Sequence, residues 1–106
     1  MAGKYLVSYV YFDEKKYEVG EYPESYCPIS ACNSLKEAKQ AIKDYMSDNK
    51  DVLFLYFTIY KWETIEIDDR LYKGYTNKVY SKSIRKIEDI IGKEKHWLWK
   101  VDYIAY

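Results

Sequence analysis

Residues 51–62 read DVLFLYFTIYKW, and the reading of this stretch decides the fold. The positions from Val52 to Tyr60 carry no charge, and all except Leu53 and Leu55 are β-branched or aromatic. Such side chains suit a pleated surface and crowd a helix, so the stretch predicts a strand. At about 3.3 Å per residue it spans ~35 Å, enough to cross a small domain. It is read as the spine of a sheet.

Working back toward the N-terminus, Ser34-Leu-Lys-Glu37 has the form of a capping box, with Leu35, Ala38, Ile42, Tyr45 and Met46 following at helical spacing. That pattern predicts an amphipathic helix, ended by Ser47-Asp-Asn49. Pro23 and Pro28 predict an irregular loop through Ser30, carrying Tyr26, Cys27 and Cys32. Residues 13–16, DEKK, read as a polar turn, and 17–22 as a short returning strand. Residues 5–12 are apolar or aromatic on both alternating sets, the mark of an interior strand.

Toward the C-terminus, residues 63–68 alternate cleanly, which points Ile65 and Ile67 inward and Thr64, Glu66 and Asp68 outward. They form either the return of a tight hairpin near 61–63 or a continuation of the spine through a bulge. Residues 71–75 extend as strand until Gly74 and Asn77. Ser81 or Ser83 then caps a second helix with Ile84, Ile87, Ile90 and Ile91 as its buried stripe and Gly92 as its C-cap. Residues 96–106 alternate Trp97, Trp99, Val101, Tyr103 and Ala105 against Leu98, Lys100, Asp102 and Ile104, a last strand with an aromatic face. The order βαββαβ predicts a single α+β domain of ferredoxin-like form, a mostly antiparallel sheet with two helices on one face. Its other face then needs residues 13–33, a second copy or a partner to cover it.

The chain of 106 residues is long enough for one core, and its seventeen basic and seventeen acidic residues cancel, so no global field draws it to nucleic acid or membrane. Neither a signal peptide nor a spanning segment is evident, which places the protein in the cytosol, where Cys27 and Cys32 stay as free thiols. Fifteen lysines against two arginines, with fourteen tyrosines and ten isoleucines, mark an AT-rich gene.

Catalysis finds little to work with. His96 is the only histidine, so any nucleophile or zinc site would depend on it together with two cysteines at unsuitable spacing. Glycines 3, 20, 74 and 92 are scattered and form no phosphate loop. Glu63, Glu66, Asp68 and Asp69 could hold Mg²⁺ beside a substrate phosphate, but acidic residues that guard a sheet edge account for them more simply. The protein is therefore read as a non-enzymatic binder without a cofactor. The expected partner contacts are Tyr56, Tyr60, Trp62, Trp97, Trp99 and Tyr103, since exposed rings give large contact area with few rotors to freeze. A second copy is a further candidate partner for the uncovered sheet face.

Residues 70–86 hold six basic side chains and no acidic one. Arg70, Tyr72, Lys73, Tyr75, Lys78, Tyr80, Lys82 and Arg85 give the alternative of a single-strand nucleic-acid or nucleotide site, with ammonium groups for phosphates and rings for stacking. Within this segment Lys73, Gly74, Tyr75 and Tyr80 resemble the RNP1 signature of RNA recognition motifs, while Asn77 and Lys78 depart from it. In size and Tyr- and Lys-rich composition the chain resembles small accessory proteins of phages that infect low-GC bacteria, including anti-defence proteins of the anti-CRISPR kind. That resemblance implies stoichiometric binding and blocking of a bacterial effector protein.

Overall fold

The computed structural model describes residues 3–92. Residues 96–106, expected as a last strand, lie outside the described residues. The chain runs β1 (Tyr5–Phe12), α1 (Glu14–Glu18), β2 (Glu24–Cys32), α2 (Leu35–Asp48), β3 (Phe54–Ile67), β4 (Arg70–Ser83) and α3 (Ile87–Ile91). The four strands form one antiparallel sheet in the order β2-β1-β3-β4. The class is thus α+β, but the ferredoxin-like βαββαβ order is not what the described residues adopt. The physical reason is β2, which returns beside β1 where a loop was expected. Because β2 already runs antiparallel to β1, the α2 connection brings β3 down on β1's other side antiparallel as well.

Pro23 is buried just ahead of β2, and Pro28 lies within an edge strand, paired with Ser8 next to a register shift. An edge strand has N–H groups without a ladder partner, so proline costs little there. The expected turn at 13–16 is instead the short helix α1. Asp13 caps it, its Oδ1 accepting from the Lys15 and Lys16 N–H groups at 3.0 and 3.3 Å while Oδ2 accepts from Ser25 Oγ at 2.7 Å.

The α2 helix follows its capping signal. Ser34 Oγ accepts from the Glu37 N–H at 3.1 Å, and Glu37 Oε2 accepts from the Asn33 N–H at 3.2 Å. At the other end Asn49 Nδ2 donates to the Tyr45 carbonyl at 2.9 Å. Ala38 and Ile42 are buried against Val7, Tyr9, Phe54, Phe57 and Ile59, with Leu35, Ala41, Tyr45 and Met46 around them. Burying each large apolar side chain contributes about 1.5–3 kcal/mol.

A second cluster, Val10, Phe12, Leu55 and Ile87, is flanked by Tyr17, Leu53, Tyr56, Ile90 and Ile91. Val7 and Tyr9 alternate with Val10 and Phe12 along β1, so the two clusters occupy opposite faces of the sheet. The helices accordingly divide between faces, with α2 on one and α3 on the other, instead of sharing one as expected. The register shift between Val10 and Tyr11 lets Phe54 and Phe57, three residues apart on β3, serve the same cluster.

Between β1 and β3, Ser8 Oγ and Thr58 Oγ1 lie 2.8 Å apart, both buried. The spine continues without a break to Ile67, so the long bulged strand is the form adopted, not a hairpin near 61–63. Likewise β4 runs through Gly74 and Asn77 to Ser83. Ser81 and Ser83 therefore belong to a strand, and the five-residue α3 starts after Lys86, with Gly92 as its C-cap at φ 84°.

Candidate functional site

β1 accompanies β3 only as far as Lys61, after which the Trp62 N–H donates to the Lys4 carbonyl at 2.7 Å. Beyond that point residues 62–67 pair, among the described residues, with 70–75 alone, so the end of the β3–β4 hairpin is a two-stranded arm. Asp68 and Asp69 close it with φ of 50° and 64°, the left-handed pair of a type I′ turn. Fourteen residues at about 3.3 Å make each strand ~46 Å long, comparable to the molecule's longest extent of 44 Å.

One face of the arm presents Ile65 opposite Tyr72 and Ile67 opposite Arg70; the other presents Thr64 opposite Lys73 and Glu66 opposite Leu71. The expectation that Ile65 and Ile67 point inward is corrected here. They do share a face, and Ile65 is half-buried beside exposed Thr64 and Glu66, but among the described residues no layer covers that face at the tip, and Ile67 is 52% exposed, Tyr72 47% and Leu71 70%. The base is tightly made. Trp62 and Tyr75 meet edge to face with centroids 4.9 Å apart, the Tyr75 hydroxyl donates to the Gly3 carbonyl at 2.9 Å, and Asn77 Nδ2 donates to Glu63 Oε1 at 3.0 Å.

Tyr56, Tyr60 and Trp62 lie on the β3 face opposite α2, all half-buried. Trp62 is committed to Tyr75, and Tyr56 borders a cleft of about 390 Å³ shared with Tyr22, Glu24, Arg85 and Ile87. Burial, then the charges of Glu24 and Tyr60, raise the Tyr56 hydroxyl above the ordinary tyrosine pKa, and burial followed by Glu24 does the same to Tyr22. Trp97, Trp99 and Tyr103, together with His96, lie outside the described residues.

The basic segment does not form one surface. Alternation along β4, with register shifts opposite Tyr60 and Trp62, sets Arg70, Tyr72, Tyr80 and Lys82 on the α2 face and Lys73, Tyr75 and Lys78 on the other, while Arg85 reaches the cleft. Tyr80 sits under Lys39, whose Nζ is 4.7 Å from the ring centre, and Tyr75 is taken up by Trp62 and Gly3. The RNP1-like residues therefore fall on a sheet edge and on both of its faces.

Of the acidic group, Glu63 and Glu66 are on opposite faces of the arm and Asp68 is in the turn, so the expected sharing of one face by Glu66 and Asp68 does not occur. Among the described residues no three His, Cys, Asp or Glu side chains are grouped to hold a metal ion. Cys27 and Cys32 are free thiols, half-buried against the α2 cluster. No helix among the described residues is long and apolar enough to cross a membrane. Sequence reasoning missed Ile67 and Leu71 as surface residues; the one available signal was that β1, at eight residues, is too short to accompany all of β3. No protein-family model, curated protein or solved structure matches the chain.

Proposed function

We propose that this protein is a non-enzymatic, cytosolic binding protein of the phage or mobile-element type, which docks on a bacterial effector protein and blocks it. The β3–β4 arm is the docking element. The observation that carries this reading is the apolar tip of the arm, where Ile67, Leu71 and Tyr72 stand in solvent on a hairpin whose base is pinned. Aliphatic and aromatic side chains on a rigid projection bury area in a partner's groove with little ordering cost. The engagement of Tyr80 by Lys39, and of Tyr75 by Trp62 and Gly3, favours this over the nucleic-acid alternative, which needs rings open to stack on bases.

The test compares tagged wild type with Ile67→Ser/Tyr72→Ala, expressed in a low-GC bacterium, crosslinked and captured. Wild type is expected to retain a stoichiometric protein partner that the variant loses, while both melt at the same temperature. A partner held equally by both, or none held by either, refutes the reading. Single-stranded oligonucleotides titrated at low salt check the alternative, which requires binding that weakens steeply as salt rises.

A further inference from the structure

The outer edge of β4 is a second feature that the arm tip does not explain. Among the described residues β4 pairs on its β3 side only, and its side chains are exposed at 70–73, 76–79 and 81–83. The opposite edge strand, β2, is interrupted by Pro28 beside a register shift, a common guard against a further strand. β4 has no proline. From Ile67↔Arg70 to Trp62↔Tyr75 its register is unbroken, and the shifts come only further along. That portion keeps the regular outward N–H and C=O spacing that an added strand uses.

The charges specify the chemistry. Along β4, Arg70 and Lys82 lie on one face and Lys73 and Lys78 on the other, with no acidic side chain between residues 70 and 86. A molecule resting on one face meets half of these cations. A strand added at the edge has side chains on both faces and meets all of them. We propose that the outer edge of β4 receives an extended acidic segment of a partner protein by strand addition, its carboxylates alternating against Arg70 and Lys82 on one face and Lys73 and Lys78 on the other. This rests on the protein-binding reading and names the partner's chemistry. A second copy related by a twofold axis would instead set β4 against β4, bringing like charges together.

The probe is a fluorescein-labelled synthetic peptide of Glu-Glu-Val-Val repeats, which sets carboxylates on both faces of an added strand, titrated onto the full chain by anisotropy, with hydrogen exchange read at the β4 amides. Saturable binding that weakens with salt is expected, with slowed exchange within 70–75 and a loss of roughly tenfold or more in Lys73→Glu/Lys78→Glu. A peptide N-methylated at alternate residues keeps the charge and lacks the edge hydrogen bonds, and it should not bind the wild type. Equal binding of the N-methylated peptide, or slowed exchange elsewhere than β4, overturns the proposal. So does light scattering that finds a second copy on this edge. A partner captured through the arm yet kept by Lys73→Glu/Lys78→Glu sinks the edge assignment alone, whereas the absence of any captured partner sinks the protein-binding reading.

Discussion

Ser8 and Thr58 offer the sharpest test of which parts of the sheet are closed. They face each other across β1 and β3, their hydroxyls 2.8 Å apart, with Ser8 0% and Thr58 5% exposed. They occupy the face opposite α2, where the more polar positions of β3 were expected to meet a partner. Ser8→Ala strips the Thr58 hydroxyl of this bond while leaving it buried, which costs about 1–3 kcal/mol. In a chain of this size each kcal/mol lowers Tm by roughly 4–8 °C. Thr58→Val should cost a similar amount. The double variant Ser8→Ala/Thr58→Val replaces both partners with apolar groups of like shape, so its loss should fall short of the sum by about 1 kcal/mol. Urea unfolding of the four proteins, followed by tryptophan fluorescence, measures the cycle. Single losses below about 0.5 kcal/mol, with additive behaviour, would mean that both hydroxyls reach water. The middle of that face would then be open, and it would compete with the arm as a docking surface.

Phe57→Ala, at a fully buried ring 4.9 Å from Phe54, should cost about 3–5 kcal/mol in urea unfolding; a loss under 1 kcal/mol would contradict the packing. Asp69→Gly relieves a left-handed residue in the turn and should raise stability by about 0.5 kcal/mol, read as a higher Tm, whereas a fall would contradict the type I′ turn. Tyr9, Tyr22 and Tyr56 all have hydroxyl pKa values raised, first by burial and then by neighbours, Tyr9's including the Tyr45 hydroxyl at 3.2 Å. A raised folded value favours the neutral form, so the stability it contributes is complete below the ordinary tyrosine pKa and is lost as pH rises toward the folded values. Alkaline titration by tyrosinate absorbance should show late-ionising rings whose ionisation coincides with unfolding; full ionisation of the intact fold near the ordinary tyrosine pKa would refute this.

The elements legible in the sequence are those whose local signals and burial agree. Ser34 with Glu37 and the Ala38-Ile42 stripe specify α2 both locally and through packing. Residues 52–60 are uncharged because their strand is covered on both sides for most of its length. Where the two diverge, the reading fails. Pro23 and Pro28 break interior structure but are tolerated at the start and on the edge of a sheet, so the local signal over 23–30 reads as loop although Glu24–Cys32 folds as β2. Gly74 and Asn77 suggested a stop, yet Asn77 is held in β4 by Glu63, its partner on β3. α1 did leave a signal in Asp13, whose carboxylate sits two and three residues ahead of the N–H groups it accepts from.

The arm shows why alternation alone cannot assign a face as inward. Thr64-Ile65-Glu66-Ile67 has the pattern of a strand with one dry side, but dryness needs a layer, and β1 has already ended. A two-stranded ribbon is marginal by itself in water, so the arm depends on its base. There Gly3, at φ 70°, passes so close to β2 that a Cβ would lie 2.6 Å from the Ala31 carbonyl carbon, and its own carbonyl accepts from Tyr75. A side chain at position 3 would therefore both strain the backbone and push the N-terminal segment off Tyr75, loosening the arm from the sheet without touching its tip. If the apolar tip were merely tolerated, such loosening would leave partner binding unchanged. If the tip binds as a rigid projection, Gly3→Ala should weaken partner capture while Ile67, Leu71 and Tyr72 remain in place, because the order once supplied by the base must then be supplied at binding.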